Sequence, residues 1–255
     1  MSTGSRFAKT NLGRPPLSLI PLPRLRHSCT LVAIAAAATL TAQSSLAQSD
    51  QRRLVTAATA TLASFLTDPD MSWLKENFGR ARAVMIAPEI TKAGLVVGGA
   101  GGRAVVVVRD AGSGRWIGPA FYTLATASIG LQAGIAVSEV VTLVMTEKAV
   151  NRLLSSSFRM GGDVAIAVGP TGAGAASHFV ADLVSFSRGQ GVYLGLNLDG
   201  TIVSTSDDWN ELYYGQRVTA VDILVRKTVR SDQAKELLNV VANAAGNSVE
   251  AGGKQ

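Results

Sequence analysis

The stretch from Lys92 to Leu131 constrains the fold most, because glycine-rich and β-branched segments alternate along it. Leu95–Val97 and Ala104–Val108 are short apolar runs bounded by glycines, which is typical of strands. The glycines of Gly98–Gly102 predict a turn between them, since glycine adopts positive φ without steric cost. Asp110–Gly114 predicts a second turn, after which the sheet resumes. This pattern indicates a β-rich core and contains no reaction chemistry.

The first 47 residues have the order of a secretory signal peptide. Residues 1–28 are basic and contain no acid, Leu31–Leu40 is an alanine-rich apolar run, and Ser45–Ala47 places small residues at a cleavage position. The apolar run is short for a membrane span, although an uncleaved anchor helix is the alternative. We therefore expect an exported protein, periplasmic or associated with the cell envelope after cleavage near Ala47.

Removing this leader changes the charge balance and leaves few catalytic side chains. The chain has 24 Lys and Arg against 18 Asp and Glu, and the leader holds five of the bases and no acid, so residues 48–255 carry 19 against 18. A nucleic-acid partner is therefore not indicated. The same residues have no cysteine and one histidine, His178, which excludes a disulfide framework and a Cys/His zinc site. We expect one domain over residues 48–255, with its core at about 54–246, and no cofactor or metal.

The segment Asp50–Leu66 is predicted to be a helix, because its apolar residues recur at helical spacing. These residues are Leu54, Ala58, Leu62, Phe65 and Leu66. Arg52 and Arg53 lie in its first turn. The helix either packs on the sheet or is a weakly amphipathic helix that faces a membrane, and its small apolar side favours packing on the sheet.

Strands and short helices are predicted along the rest of the chain. The strands are Ala83–Ala87, Phe121–Leu131, Ile135–Met145, Phe158–Pro170, Ala181–Ser187, Gly191–Leu198 and Thr201–Ser204. The helices are Met71–Phe78, Glu147–Ser156, Asp208–Tyr213 and a last one from Ser231 to about Ala245. Pro88 should end the first strand because it has no N–H, and Thr146 should cap a helix. The predicted fold class is α+β, with a mostly antiparallel, curved and barrel-like sheet packed by N- and C-terminal helices.

Patterns associated with enzymes fail when their context is considered. Gly99–Ala104 matches a loose dinucleotide-binding pattern, but the β-branched Val105–Val108 follows where a helix is required. Gly169–Gly174 has phosphate-loop spacing but lacks the lysine that would reach phosphates. Glu139, inside an apolar run, must face outward or be paired, and one carboxylate makes no acid–base pair. We therefore predict that the protein is not an enzyme.

A set of short segments in fixed order carries a family resemblance from about residue 54 to 225. The segments are Ala83–Pro88, Lys92–Gly99, Trp116–Tyr122, Ser128–Gly134, Glu139–Thr146, Gly162-Asp163, Gly169-Pro170, Gly174, Asp182–Arg188, Gly191–Gly200 and Asn210–Gly215. Together they resemble the SYLF domain family of lipid-binding proteins. The resemblance implies a domain that binds lipid headgroups. Eukaryotic relatives bind phosphoinositides, partly through an N-terminal amphipathic helix, and yeast relatives also bind actin.

For an exported protein, the resemblance implies anionic phospholipids at a membrane surface as the ligand. Phosphate oxygens would be held by a set of cations: Arg52, Arg53, Lys75, Arg80, Arg82 and Lys92. Leu54, Leu62, Phe65 and Leu66 could enter the membrane interface if the first helix leaves the sheet. The alternative is a structural or scaffolding protein of the envelope that docks a protein partner. A hydrolase that uses His178 is a third hypothesis, and it requires loss of activity in His178→Ala.

Overall fold

A mostly antiparallel sheet packed by helices forms the body of the protein, as a computed structural model describes it for residues 50–94, 97–129, 134–170, 181–189, 192–193 and 198–252. All of these residues belong to one compact unit, Ser44–Gln255. The predicted leader lies outside the described residues. The α+β prediction is confirmed.

The helices within these ranges are α1 at 50–67, α2 at Ser72–Asn77, α3 at Glu147–Leu153, α4 at Asp207–Tyr214 and α5 at Lys235–Gly252. Short 3₁₀ turns lie at Pro69–Met71, Phe78–Arg80 and Asp232–Ala234, and a π-helical turn lies at Asp222–Arg226. The strands are β1 Ala83–Gly94, β2 Val97–Arg109, β3 Trp116–Ile129, β4 Gly134–Val144, β5 Ser157–Arg159, β6 Ile166–Val168, β7 Leu183–Gly189, β8 Val192–Tyr193 and β9 Ile202–Thr205.

The sheet curls and brings its two edge strands toward each other. Its strand order is β5-β9-β3-β2-β1-β4-β7-β6, with β8 paired to β7. In a flat sheet the edge strands β5 and β6 would lie roughly 30 Å apart, at about 4.8 Å per strand. Instead they are joined by the short segment 160–165, in which Met160 and Val164 form a bridge and the Gly161 N–H donates to the Val164 carbonyl at 2.8 Å. The predicted curved sheet is therefore confirmed, as a curled half-barrel.

Both faces of the sheet are buried around the first half of β1, which explains why the strands are apolar at consecutive positions there. Val84 and Ile86 face the helices and share a core with buried residues of α1, α2 and α5. Ala83 and Met85 face the inside of the curl, where α3 and the π-helical turn close a second core. Alternate residues of each strand therefore belong to different cores.

The predicted glycine turn at Gly98–Gly102 is wrong, because these residues lie within β2 and pair with β1 and β3. A β-bulge explains one of the glycines. The register of β1 against β2 shifts between Ile86 and Glu89, and a Cβ on Gly102 would lie 2.2 Å from the Glu89 carbonyl oxygen. Pro88 lies in the same bulge, so the strand continues through it to Gly94 instead of ending there.

The predicted strand Phe158–Pro170 is also wrong as a single element. It is divided into β5 and β6, which lie at opposite edges of the sheet and are connected by the closing turn. The prediction for α3 is confirmed, and the Thr146 hydroxyl accepts the Ala149 N–H at 3.2 Å. That cap depends on a contact within four residues, whereas the division of β5 from β6 depends on long-range pairing.

Candidate anion-binding site

The predicted cations do not form one surface. Arg82 immediately precedes β1, while Lys92 lies ten residues further along the same strand and pairs with Ala100 and Ala136. At about 3.3 Å per residue the two positions are roughly 30 Å apart. The Lys75 ammonium donates to the Asp68 carbonyl at 2.9 Å, at the C-terminal end of α1.

The two arginines of α1 lie at the other end of that helix. Arg52 and Arg53 are both exposed. Arg53 forms an ion pair with Asp50, within the same turn. Burial raises the pKa of the Tyr213 phenol on α4. The positive charge of nearby Arg52 opposes part of this increase. Arg52 and Arg53 are therefore placed by α1, whereas Arg80 and Arg82 are placed by the connection into the sheet.

Arg80 and Arg82 line a depression of about 310 Å³ together with Arg109, at the end of β1 and β2. Strand pairing brings them together, since the Arg109 N–H donates to the Arg82 carbonyl at 2.7 Å. Arg115 lies across the β2–β3 turn and lines an adjoining cavity that also contains Arg109. We call Arg80, Arg82, Arg109 and Arg115 the arginine cluster. Across the described ranges, no salt bridge involves any of these four side chains.

Arg109 is held in place by backbone carbonyls rather than by an acid. Its Nη1 donates to the Gly79 carbonyl at 3.0 Å, and its Nε donates to the Gly114 carbonyl at 3.3 Å. Gly114 has a φ of 69°, and the turn is closed by the Asp110 N–H donating to the Arg115 carbonyl at 2.8 Å. Because both bonds are to neutral groups, neither compensates the positive charge of the guanidinium, and donors are left for an anion.

Asp110 is the acid that lines the depression, and Lys227 neutralises it. The Lys227 ammonium donates to one carboxylate oxygen at 2.6 Å, and the Ser113 hydroxyl and N–H donate to the other at 2.5 and 3.1 Å. The hydrogen bond from Lys227, followed by that from Ser113, lowers the pKa of Asp110 to about 2. Its charge is therefore already compensated, and the arginine cluster keeps a net positive charge.

The Asp110–Lys227 pair should contribute stability that disappears in acid. Because the folded-state pKa of about 2 is below the ordinary 3.8, this stability is fully present above about pH 4 and is lost as the pH falls toward 2. We expect Asp110→Asn to be less stable than the wild type at pH 6, with a difference that shrinks toward pH 2.5. Urea unfolding at several pH values measures it. Lys227→Met should behave in the same way, and a difference that persists undiminished at pH 2.5 would contradict the assignment.

The apolar residues predicted to enter a membrane interface lie against the sheet. Leu62 and Phe65 have 0% exposed surface, and Leu54 and Leu66 are partly buried against the same core. Of the two arrangements open from the sequence, the structure has the docked helix. A role for these four side chains in a membrane would require α1 to leave the sheet, and it stays a prediction.

Two cations of the cluster, Arg109 and Arg115, were missed in the sequence. They flank the predicted Asp110–Gly114 turn, and this turn was itself predicted correctly. If Ala83–Ala87 had also been paired with Ala104–Val108 as neighbouring antiparallel strands, Arg82 and Arg109 would have been expected side by side. The missing information was therefore strand register and not residue chemistry.

Other kinds of site receive no support from the described residues. None of their helices has the length and apolarity needed to cross a membrane. In the same ranges, no group of three or more His, Cys, Asp or Glu side chains could hold a metal ion. His178 lies outside the described residues, so the hydrolase hypothesis stays untested.

Comparison with known proteins points to one family. Residues 125–244 match the Ysc84 family, described as "Las17-binding protein actin regulator". The chain is 29% identical to human SH3 domain-containing YSC84-like protein 1, over 60% of this chain and 46% of that protein. It is 26% identical to Protein YSC84 of Saccharomyces cerevisiae, over 66% of this chain and 37% of that protein. It is 28% identical to LAS seventeen-binding protein 3 of the same species, over 66% of this chain and 38% of that protein.

These matches cover parts of longer proteins, since the chain spans about half or less of the length of these curated relatives. The family match begins at Ala125, within β3, so the arginine cluster precedes it. Residues 125–244 therefore match the Ysc84 family model, which confirms the resemblance to SYLF proteins inferred from the sequence segments.

Proposed function

We propose that this protein binds anionic phospholipid headgroups at a membrane surface, without chemical turnover, through the arginine cluster. The observation that carries the proposal is the convergence of Arg80, Arg82 and Arg109 on one depression whose acid is paired with a lysine. A guanidinium group matches the geometry of a phosphate oxygen pair and is weakly hydrated, so it suits this ligand. The leader pattern supports the further proposal that the membrane is one of the cell envelope.

The remaining predicted cations have a secondary part in this proposal. Lys92 lies too far along β1 to touch the same headgroup as Arg82. Arg52, Arg53 and Lys75 belong to α1 and α2, so they would add to a general attraction toward an anionic surface. Each such cation near the surface contributes about 1 kcal/mol, and salt screens this contribution.

Vesicle co-sedimentation of the purified protein tests the proposal. The vesicles would contain phosphatidylcholine with or without phosphatidylglycerol, at low and high salt. We expect salt-sensitive binding to the anionic vesicles, weakened by about 2 kcal/mol, or about thirtyfold, in Arg80→Gln/Arg82→Gln. The matched control is Arg152→Gln/Arg159→Gln, which removes two exposed arginines from α3 and β5 and should bind like the wild type. Equal losses in both double variants would show that general charge, and not this cluster, is responsible.

A scaffolding role that docks a protein partner is the second candidate. The description of the matching family, "Las17-binding protein actin regulator", and the name of one relative, LAS seventeen-binding protein 3, favour it. The sheet also has a partly exposed row of small or apolar-branched residues at the end far from the cluster. Val137, Ala125 and Ile202 are exposed, and Thr91 and Gly101 between them are partly buried. This alternative predicts that vesicle binding is absent or indifferent to lipid charge.

A further inference from the structure

A second cavity adjoins the arginine cluster on the other side of Arg109. It lies between the β2–β3 turn and α5 and has a volume of about 490 Å³, in the lower part of the range of roughly 300–1,000 Å³ for small-molecule sites. We call it the α5 groove. Because Arg109 lines both cavities, a ligand held by this guanidinium could extend into the α5 groove.

The inner side of the α5 groove is apolar. Trp116 is 8% exposed and packs against Phe78, with ring centroids 6.3 Å apart, so only a small part of its surface is open to the groove. Leu238, Ala242 and Ala245 contribute from one side of α5, at the i, i+4, i+7 spacing that places residues on one helical face. Because alanine is small, Ala242, which is exposed, and Ala245, which is buried, leave space for the groove beside the helix.

The rim of the α5 groove is cationic. Arg109, Arg115 and Lys235 line it, and no carboxylate is among its lining residues. Lys235 contacts Asp232 at 3.0 Å, but both side chains are highly exposed, so this pair compensates the charge weakly. An apolar channel with a positive rim is complementary to a molecule that has an alkyl chain and an anionic head.

We propose that the α5 groove binds one alkyl chain of an amphiphile whose phosphate head lies on Arg109 and Arg115. The proposal commits to a single-chain alkyl phosphate or lysophospholipid, because a groove of about 490 Å³ suits one alkyl chain better than two. It rests on the proposed function for the headgroup and adds recognition of the chain. The protein would then withdraw a chain from a membrane or carry a free amphiphile, in addition to touching a lipid surface.

The test uses butyl, hexyl and octyl phosphate as monomers with the purified protein, and calorimetry as the readout. We expect the affinity to rise about fourfold for each added methylene that enters the groove. Ala242→Phe, at an exposed position, should fill the channel and remove this dependence on chain length. The matched control is Asn243→Phe, which adds the same ring to the same helix at an exposed position that lines a different cavity, and it should keep the wild-type dependence.

A second variant keeps the proposal testable if Ala242→Phe fails to fold. Arg115→Gln, on an exposed turn, should weaken binding of all three phosphates by the same factor and leave the dependence on chain length unchanged. Equal affinity for the three phosphates in the wild type, or unchanged binding in Ala242→Phe with a native circular dichroism spectrum, would overturn the proposal. Vesicle binding without chain-length dependence would contradict the groove proposal and leave the membrane proposal standing. Chain-length dependence without vesicle binding would contradict the membrane proposal and leave the groove proposal standing.

Discussion

Replacing Phe65 with alanine should lower the free energy of unfolding by about 3–5 kcal/mol, the usual range for a fully buried phenylalanine. Its ring has 0% exposed surface in the core between α1 and the sheet, and the Arg188 guanidinium lies 4.8 Å from the ring centroid. Truncation removes both contacts and leaves a cavity. Urea unfolding followed by circular dichroism measures the change.

Thr56→Ala is the matched control for Phe65→Ala, since Thr56 is exposed on the same helix and should change stability by less than about 0.5 kcal/mol. A comparably small effect of Phe65→Ala would mean that α1 is not docked in solution.

The Phe65→Ala variant also tests the predicted membrane role of α1. If α1 leaves the sheet when the protein binds a membrane, loosening its docking should strengthen vesicle binding by Phe65→Ala. If α1 stays on the sheet, Phe65→Ala should bind vesicles as the wild type does.

Arg188→Met should lower the free energy of unfolding by about 2–3 kcal/mol, because it leaves acids near the protein interior without their partner. Arg188 lies on β7, and its Nη2 donates to Glu139 at 2.7 Å and to the Ser64 hydroxyl at 2.7 Å. Its Nη1 donates to Asp68 at 3.4 Å. The guanidinium therefore ties the C-terminal half of α1 to β4 and β7.

The control for Arg188→Met is Arg217→Met, since the Arg217 side chain is 92% exposed in its ion pair with Glu211. It should change stability by less than about 0.5 kcal/mol. A double-mutant cycle with Glu139→Gln isolates the pair, and we expect a coupling of about 1–2 kcal/mol. Additive effects would show that the Arg188–Glu139 contact contributes nothing specific.

The sequence left two interpretations of Glu139 open, outward-facing or paired, and in the structure Glu139 is paired with Arg188.

Elements governed by short-range contacts were predictable from the sequence. Thr146 caps α3 as predicted, and the Asp110–Gly114 turn closes between β2 and β3. In both cases the chemistry that determines the structure lies within a few residues, as a side-chain cap or a glycine at positive φ. The apolar spacing of α1 likewise predicted which of its residues pack inward.

Elements governed by strand pairing were not predictable in the same way. Gly98–Gly102 has turn composition, yet it lies in β2, because the bulge in β1 brings the Glu89 carbonyl against Gly102. Pro88 would end an isolated strand, and the same bulge accommodates it. Such exceptions depend on the partner strand, which the local sequence does not specify.

The α+β class, the family resemblance and the supply of cations in the candidate site all follow from the order of residues along the chain. Tertiary structure alone decided which cations meet: pairing of β1 with β2 sets Arg82 beside Arg109, and the length of β1 carries Lys92 to the far end of the sheet. It also decided that the sheet curls so far that the 160–165 turn can connect its two edge strands. The reason is physical, since residue type and spacing set local preferences, whereas register and curvature arise from burying two faces of one sheet at once.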